Sequence, residues 1–150
     1  MNGWMPAATA LLALGGAAVV LAVATGPLPR RVAAQNLATS VVSPSLLLLA
    51  QGYGRSSYVD LALLLALLGP VGTLVFARLL ADDLADARPV SQVPTWAAAG
   101  VGAVVVAVVC TAGGPGRAMA KLLVTGVLLI GGNLVASRSL AGGFRQVRGG

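Results

Sequence analysis

The chain has 150 residues, of which 57% are hydrophobic and 9% are charged, with a mean hydropathy of +0.91 and a formal charge of +6. A soluble domain usually carries about 25% charged residues, so this composition excludes an ordinary soluble enzyme and predicts an all-α integral membrane protein. The basic residues are scattered over the ends of hydrophobic segments, without the clustered basic face of a nucleic-acid-binding protein.

Five hydrophobic segments follow one another along the chain, over residues 6–25, 32–51, 58–80, 94–111 and 118–140. Each is close to the roughly 20 residues that span a bilayer. Segments of this length predict helices, because strands are usually about 4–8 residues long and a single helix pairs its own amides in hydrocarbon. The first segment lacks the preceding Lys or Arg of a signal peptide, which favours a retained helix. The expected fold is a bundle of about five transmembrane helices.

The basic residues also predict an orientation. The side that holds the N-terminus and the second and fourth loops carries Arg55, Arg117 and Lys121. The other side carries seven arginines: Arg30, Arg31, Arg78, Arg88, Arg138, Arg145 and Arg148. By the positive-inside bias, the side with seven is cytoplasmic. The N-terminus is then outside and the C-terminus is cytoplasmic.

The second segment is the most polar of the five. It carries Gln35, Asn36, Thr39, Ser40 and Ser43, which lie within about 140° of arc on a helix. Such a stripe is costly against lipid, so it should face protein or water. Two interpretations stay open: hydrogen bonding between helices, or one wall of a hydrated ion path centred on Asn36, Ser40 and Ser43.

Two charged residues lie close to predicted helix starts. Asp60 follows Ser57 at the spacing of an S-x-x-D cap, or it attracts cations at the outer mouth of a path. Lys121 lies one turn inside the fifth segment, where it either snorkels to the interface or takes part in proton transfer as a buried lysine.

Two features concern helix shape and packing. Gly69 and Pro70 predict a break in the third helix, because proline has no N–H to donate. Gly126, Gly131 and Gly132 in the fifth segment offer small surfaces for close packing.

The usual residues of metal and catalytic sites are scarce. The chain has no histidine and one cysteine, Cys110, and its four acidic residues are all aspartates. This inventory lacks the common zinc ligand sets and the His-based triads. We expect no metal, no cofactor and no enzymatic activity, and we expect Cys110 to pack in its apolar segment.

The order of residues in the first half resembles a known family. The resemblance is carried by Gly26-Pro27 and by residues 30–36 (RRVAAQN), 58–69 (YVDLALLLALLG) and 71–78 (VGTLVFAR). Together they resemble the F subunit of the Mrp-type multisubunit sodium/proton antiporter, over about residues 6–85. That subunit has three helices and an outer N-terminus. Arg30-Arg31 stands where the family has Asp-Arg, and the family's helix-two aspartate falls on Asn36.

The second half resembles a neighbouring subunit of the same complex. Lys121-Leu122-Leu123 and residues 132–138 (GNLVASR) are similar to the last helix of the G subunit, which has three helices where only two fit here. This resemblance divides the chain into an F-like module over 1–85, a cytoplasmic linker over 86–93, and a shortened G-like module with a basic tail over 94–150.

The resemblance implies an accessory subunit of a monovalent cation (sodium)/proton antiporter in the prokaryotic cell membrane. Its partners would be the other subunits, the lipid bilayer, and transported sodium and protons. Asn36, Ser40, Ser43 and Asp60 would contribute to a cation path, and Arg31 would anchor the cytoplasmic interface. Three alternatives stay open: the same module in an ion-pumping redox complex of the membrane-bound hydrogenase type, a purely structural membrane protein, and a stand-alone transporter.

Overall fold

The described part of the chain is a bundle of five long helices. The structure is a computed structural model that describes residues 3–80, 93–113 and 116–142. In chain order the helices are α1 (Trp4–Thr25), α2 (Leu28–Tyr53), α3 (Ser57–Leu79), α4 (Val93–Gly113) and α5 (Arg117–Gly142). Within those ranges there is no strand. Each predicted hydrophobic segment is one helix, so the predicted all-α fold is confirmed.

All five helices are long and apolar enough to cross a membrane, by length and composition. Apolar side chains such as Leu14, Leu79 and Val127 are mostly exposed on the outside of the bundle. An exterior of this kind is stable in hydrocarbon and unfavourable in water. The architecture is that of a helical membrane protein.

Helix α2 is the centre of the bundle, because it contacts α1, α3, α4 and α5. It has the lowest hydropathy of the five helices, yet its membrane-spanning part is 56% buried, against 6% for α1. In lipid a polar helix is best shielded by other helices, so the order of burial is the reverse of that in a soluble protein.

The two predicted modules pack directly against each other. Helix α2 contacts both α4 and α5, and α3 also packs on α5. The linker predicted between the modules lies outside the described residues, apart from its last position. The basic tail beyond Gly142 is outside them as well.

The turns around α2 have identifiable causes. Pro27 is extended and its carbonyl accepts the backbone N–H of Arg31 at 3.2 Å, which starts the helix. At the other end Gly54 has φ 63°, a left-handed conformation, and its N–H bonds the carbonyl of Ala50. Glycine adopts this conformation without the steric cost of a Cβ. The chain thereby reverses into α3.

Glycines allow the helices to approach closely. A Cβ on Gly15 of α1 would lie 2.5 Å from Val41 Cγ1 of α2, and one on Gly126 of α5 would lie 2.9 Å from Val106 Cγ1 of α4. Real Cβ atoms do not sit at such distances. These contacts therefore depend on the missing side chain, as small residues generally allow in membrane bundles.

Helix α3 is continuous through Gly69 and Pro70, so the predicted helix break is wrong. Pro70 lies inside the helix and faces α5, where a Cβ on Gly132 would collide with the proline ring. Membrane helices tolerate proline because the surrounding protein satisfies the freed backbone groups. Here Gly132 makes room for the ring, and α3 continues to Leu79.

Candidate functional site

The polar stripe of α2 faces the interior of the bundle. Asn36 is 6% exposed, Ser40 is 8% exposed, and Ser43 is fully buried. Gln35, on the side of the stripe, is exposed, and Thr39 is half-buried. The centre of the stripe, Asn36, Ser40 and Ser43, is therefore shielded by the neighbouring helices as the sequence predicted, whereas Gln35 at its edge is not.

Most hydroxyls of this region bond their own helix. Thr39 Oγ1 and Ser40 Oγ both donate to the carbonyl of Asn36 at 2.9 Å. Ser45 Oγ donates to the carbonyl of Val41 at 2.8 Å. A hydroxyl that donates to the preceding turn is satisfied without water. These three side chains have their donors committed inside α2.

Among the described residues, a side-chain hydrogen bond of Asn36 links this stripe to α5. Its Nδ2 donates to Asn133 Oδ1 of α5 at 2.5 Å. Asn133 is itself 3% exposed, and its Nδ2 donates to the carbonyl of Thr95 in α4 at 3.1 Å. Three helices are thus connected by a chain of two amide hydrogen bonds. Both amides are paired at a depth where an unpaired one would be costly.

Ser43 differs from the other residues of the stripe. Within the described part of the chain its Oγ is buried and has no hydrogen-bond partner. It precedes Pro44, which lies inside α2 and is also buried. The middle of α2 therefore holds a polar atom that its own helix does not satisfy.

Asp60 and Lys121 form an ion pair between α3 and α5. Lys121 Nζ lies 2.8 Å from Asp60 Oδ1, and the side chains are 52% and 54% exposed. The predicted cap at the start of α3 is not formed: the N-cap residue is Ser56, and no side chain caps the helix there. Nothing in the sequence indicates that these two charged residues are linked, and in the structure they form one ion pair.

The ion pair lies far from the polar stripe. Asp60 is in the first turn of α3, beside the turn at Gly54. Asn36 is 17 residues before the end of α2 at Tyr53, which is about 25 Å of helix at 1.5 Å per residue. The structure does not bring Asp60 together with Asn36, Ser40 or Ser43.

Arg31 lies at the start of α2 and is exposed. Its Nε donates to the carbonyl of Gly26 at 3.1 Å, so the side chain folds over the turn that joins α1 to α2. Its predicted role as an interface anchor stays a prediction. Gly69 has a packing role, because a Cβ there would collide with the side chain of Thr39.

The described residues contain no group of three or more His, Cys, Asp or Glu side chains that could hold a metal ion. Cys110 is a free, half-buried thiol in α4 beside the apolar core. The buried polar side chains of the described bundle are neutral amides and hydroxyls, and the ion pair of Asp60 and Lys121 lies near a helix end.

Sequence reasoning missed the roles of Asn133 and of the Thr95 carbonyl. Asn133 was noted only as part of a G-like segment. The available signal was a single asparagine within the apolar fifth segment, since a polar residue at such a depth usually has a protein partner. The sequence did not show which helix would provide that partner.

Comparison with known proteins places part of the chain in the range of a family model. Residues 29–81 match the family model described as Multiple resistance and pH regulation protein F (MrpF / PhaF). No curated protein matches the chain, and no solved structure does. The matched segment covers nearly all of α2 and the whole of α3 and ends before α4. The central helix and its neighbour α3 are therefore similar to the F protein of that family.

Proposed function

We propose that the chain is an accessory membrane subunit of a multisubunit monovalent cation (sodium)/proton antiporter of the Mrp type. The observation that carries this proposal is the match of residues 29–81 to the MrpF / PhaF family. The match falls on the central helix α2 and on α3, which packs against it. It thus concerns the part of the bundle on which the other helices are assembled.

The geometry favours a role in assembly. Asn36 is paired with Asn133, and the Ser40 hydroxyl is paired within α2. The Asn36–Asn133 bond joins two helices of the same chain, which supports the interpretation of the stripe as interhelical packing. The exposed apolar faces of α1 and α3, with Leu14, Leu64 and Leu68 among their residues, leave area for helices of other subunits or for lipid.

The cation path through Asn36, Ser40, Ser43 and Asp60 stays a prediction. Asn36, Ser40 and Ser43 are buried, and Asp60 lies away from them in the first turn of α3. Such a path would therefore need groups from other subunits. The shortened G-like character of residues 94–150 also stays a prediction. It is supported by the packing of α5 against α2 and α3, where a neighbouring subunit would be expected.

The first experiment is mild-detergent purification of the tagged full chain from its native membrane, followed by mass spectrometry. We expect large antiporter-like subunits to be recovered with it. Recovery of hydrogenase-like subunits would instead select the ion-pumping redox complex. A stable, monodisperse chain recovered alone would contradict an accessory role and leave a structural membrane protein or a stand-alone transporter.

A second experiment separates assembly from ion conduction. Asn36→Leu and Asp60→Asn are compared with Gln35→Leu, which changes an exposed amide next to Asn36. For each variant, sodium/proton exchange in membrane vesicles is divided by the amount of assembled complex. An assembly role predicts that exchange falls only as the amount of complex falls. Lower exchange per complex in Asn36→Leu would show that the stripe takes part in conduction.

Orientation is tested with a membrane-impermeant thiol reagent on intact cells. In a Cys110→Ala background, Ser56→Cys places a thiol in the exposed turn between α2 and α3, and Arg30→Cys places one at the opposite end of α2. Because the N-terminus is predicted outside, we expect labelling at position 56 and none at position 30. The reverse pattern would contradict the orientation derived from the arginines.

A further inference from the structure

A cleft separates α1 from α4 on the outside of the bundle. Both helices pack on α2 but hardly on each other, and Leu48 of α2 forms the floor between them. One wall consists of Trp4, Ala7 and Leu11, whose spacing places them on one face of α1. The cleft has a volume of about 430 Å³ and is open to the side. The other wall consists of four valines of α4: Val101, Val104, Val105 and Val108.

The space is suited to hydrocarbon and not to water. The side chains that the structure describes along it are aliphatic, apart from the indole ring of Trp4. A water in a protein cavity needs about two to four polar partners, whereas apolar cavities stay dry and take up apolar molecules. An empty cleft would also lose the dispersion contacts of its lining. We therefore expect an apolar occupant.

The cleft begins at the end of the bundle that holds the N-terminus. Trp4 is in the first turn of α1, and tryptophan rings prefer the boundary between lipid headgroups and hydrocarbon. From Trp4 to Leu11 the helix rises about 10 Å, and the cleft continues along it towards the centre of the bilayer. The acyl chain of a phospholipid begins at the same boundary and runs in the same direction.

The dimensions favour an acyl chain over a helix of a partner protein. A volume of about 430 Å³ over a length of about 10 Å gives a cross-section of roughly 40 Å². A helix with its side chains is about 10–12 Å wide, which is roughly 80–110 Å². Nine of the described residues line the cleft, whereas a stable protein interface uses about 20–30 residues on each side. The cleft is too narrow for a helix, and a hydrocarbon chain, which is much thinner, fits.

We propose that the cleft between α1 and α4 binds one acyl chain of a phospholipid from the leaflet on the N-terminal side of the bundle. The chain lies against Leu48 and the valines of α4, and its headgroup stays at the level of Trp4. It bridges two helices that the described bundle joins mainly through α2. This site goes beyond the proposed function and does not depend on it.

The test is photolabelling of the full chain in phosphatidylcholine vesicles. A small fraction of the phosphatidylcholine carries a diazirine in its acyl chain, and labelled residues are located by peptide mass spectrometry. Leu48 of α2 and Leu61 of α3 lie close to the same end of the bundle and are 6% and 50% exposed. A chain held in the cleft should label Leu48 more strongly than Leu61. Labelling that follows exposure, with Leu61 above Leu48, would overturn the proposal, and this measurement requires no variant to fold.

A variant that fills the cleft checks the location of the chain. Val104→Phe adds a ring to the α4 wall, and Val127→Phe of α5 is the matched control, because both valines are mostly exposed and the second does not line the cleft. Val104→Phe should lower the labelling of Leu48 relative to Leu61 by about threefold or more, since the ring takes up the space of the chain. Val127→Phe should leave this ratio unchanged. Equal ratios in the two variants would overturn the site.

A second preparation identifies a different occupant. The same photoactivatable phosphatidylcholine is added to native membranes that contain the full chain. Stronger labelling of Leu48 than of Leu61 in these membranes, as in vesicles, supports the acyl chain. If Leu48 is labelled in vesicles and not in native membranes, a protein partner covers the cleft and the proposal is overturned.

Discussion

The amide pair between Asn36 and Asn133 gives the sharpest test of how the two halves are joined. We consider Asn36→Leu, Asn133→Leu and the double variant. Leucine is close to asparagine in shape and removes only the polar atoms. In Asn36→Leu, the buried Asn133 Oδ1 loses its donor. In Asn133→Leu, two bonds are lost, because Asn133 also donates to the carbonyl of Thr95.

The magnitude follows from burial and from the lipid environment. Hydrogen bonds between membrane helices contribute about 0.6 kcal/mol on average and about 1.7 at most. A buried group left without a partner costs about 1–3 kcal/mol, and Asn36 and Asn133 are 6% and 3% exposed. We expect Asn36→Leu to lower the free energy of unfolding by about 1–2 kcal/mol. Asn133→Leu should lower it further, because it breaks both bonds.

The measurement is a double-mutant cycle on reversible unfolding in mixed micelles, followed by loss of helical circular dichroism. Because the double variant leaves no unpaired amide in the pair, its cost should be less than the sum of the single costs by about 0.6–1.7 kcal/mol. Gln35→Leu is the control, since this neighbouring amide is exposed, and it should change stability by less than about 0.5 kcal/mol. If the stability losses of the two single variants add up to that of the double variant, Asn36 and Asn133 do not interact.

Two further predictions concern α3 and α5. Lys121→Met and Asp60→Asn should each lower the free energy of unfolding by only about 0.2–1 kcal/mol, because both side chains of the ion pair are half exposed. Exchanging the two residues should restore the stability of the unmodified chain. If the exchanged variant stays less stable, the contact is not electrostatic. Gly132→Ala should lower the free energy of unfolding by about 1–3 kcal/mol, because the new methyl group meets the Pro70 ring. The control is Gly131→Ala, which has nothing within 4 Å of its new Cβ and should be neutral or stabilising by helix propensity. Equal melting temperatures for the two variants would contradict the packing of α3 against α5.

The helices could be predicted because hydrocarbon imposes a simple rule on sequence. A segment that crosses it must be apolar for about 20 residues and must pair its own backbone groups. The predicted segment 58–80 and the observed helix Ser57–Leu79 differ by one residue at each end. The central position of α2 was also implicit, because its polar stripe had to be hidden from lipid.

The errors arose where a local pattern had more than one tertiary outcome. Gly69 and Pro70 predicted a break, but a proline can continue a membrane helix when a neighbour accommodates its ring, as Gly132 does. Ser57 and Asp60 had the spacing of a cap, but the carboxylate bonds Lys121 instead. The spacing of residues along a helix carries no information about a partner 61 positions away.

The sequence by itself determined the five apolar helices of the described residues, their approximate ends and the need to bury the polar face of α2. The cost of exposing polar groups to lipid acts on each segment separately. Only the tertiary structure decided that Asn36 meets Asn133, that Asp60 meets Lys121, and that Gly132, not Gly131, faces a proline. These pairings depend on the rotation and relative height of packed helices. Both are set by the fit of many side chains at once, which no single segment encodes.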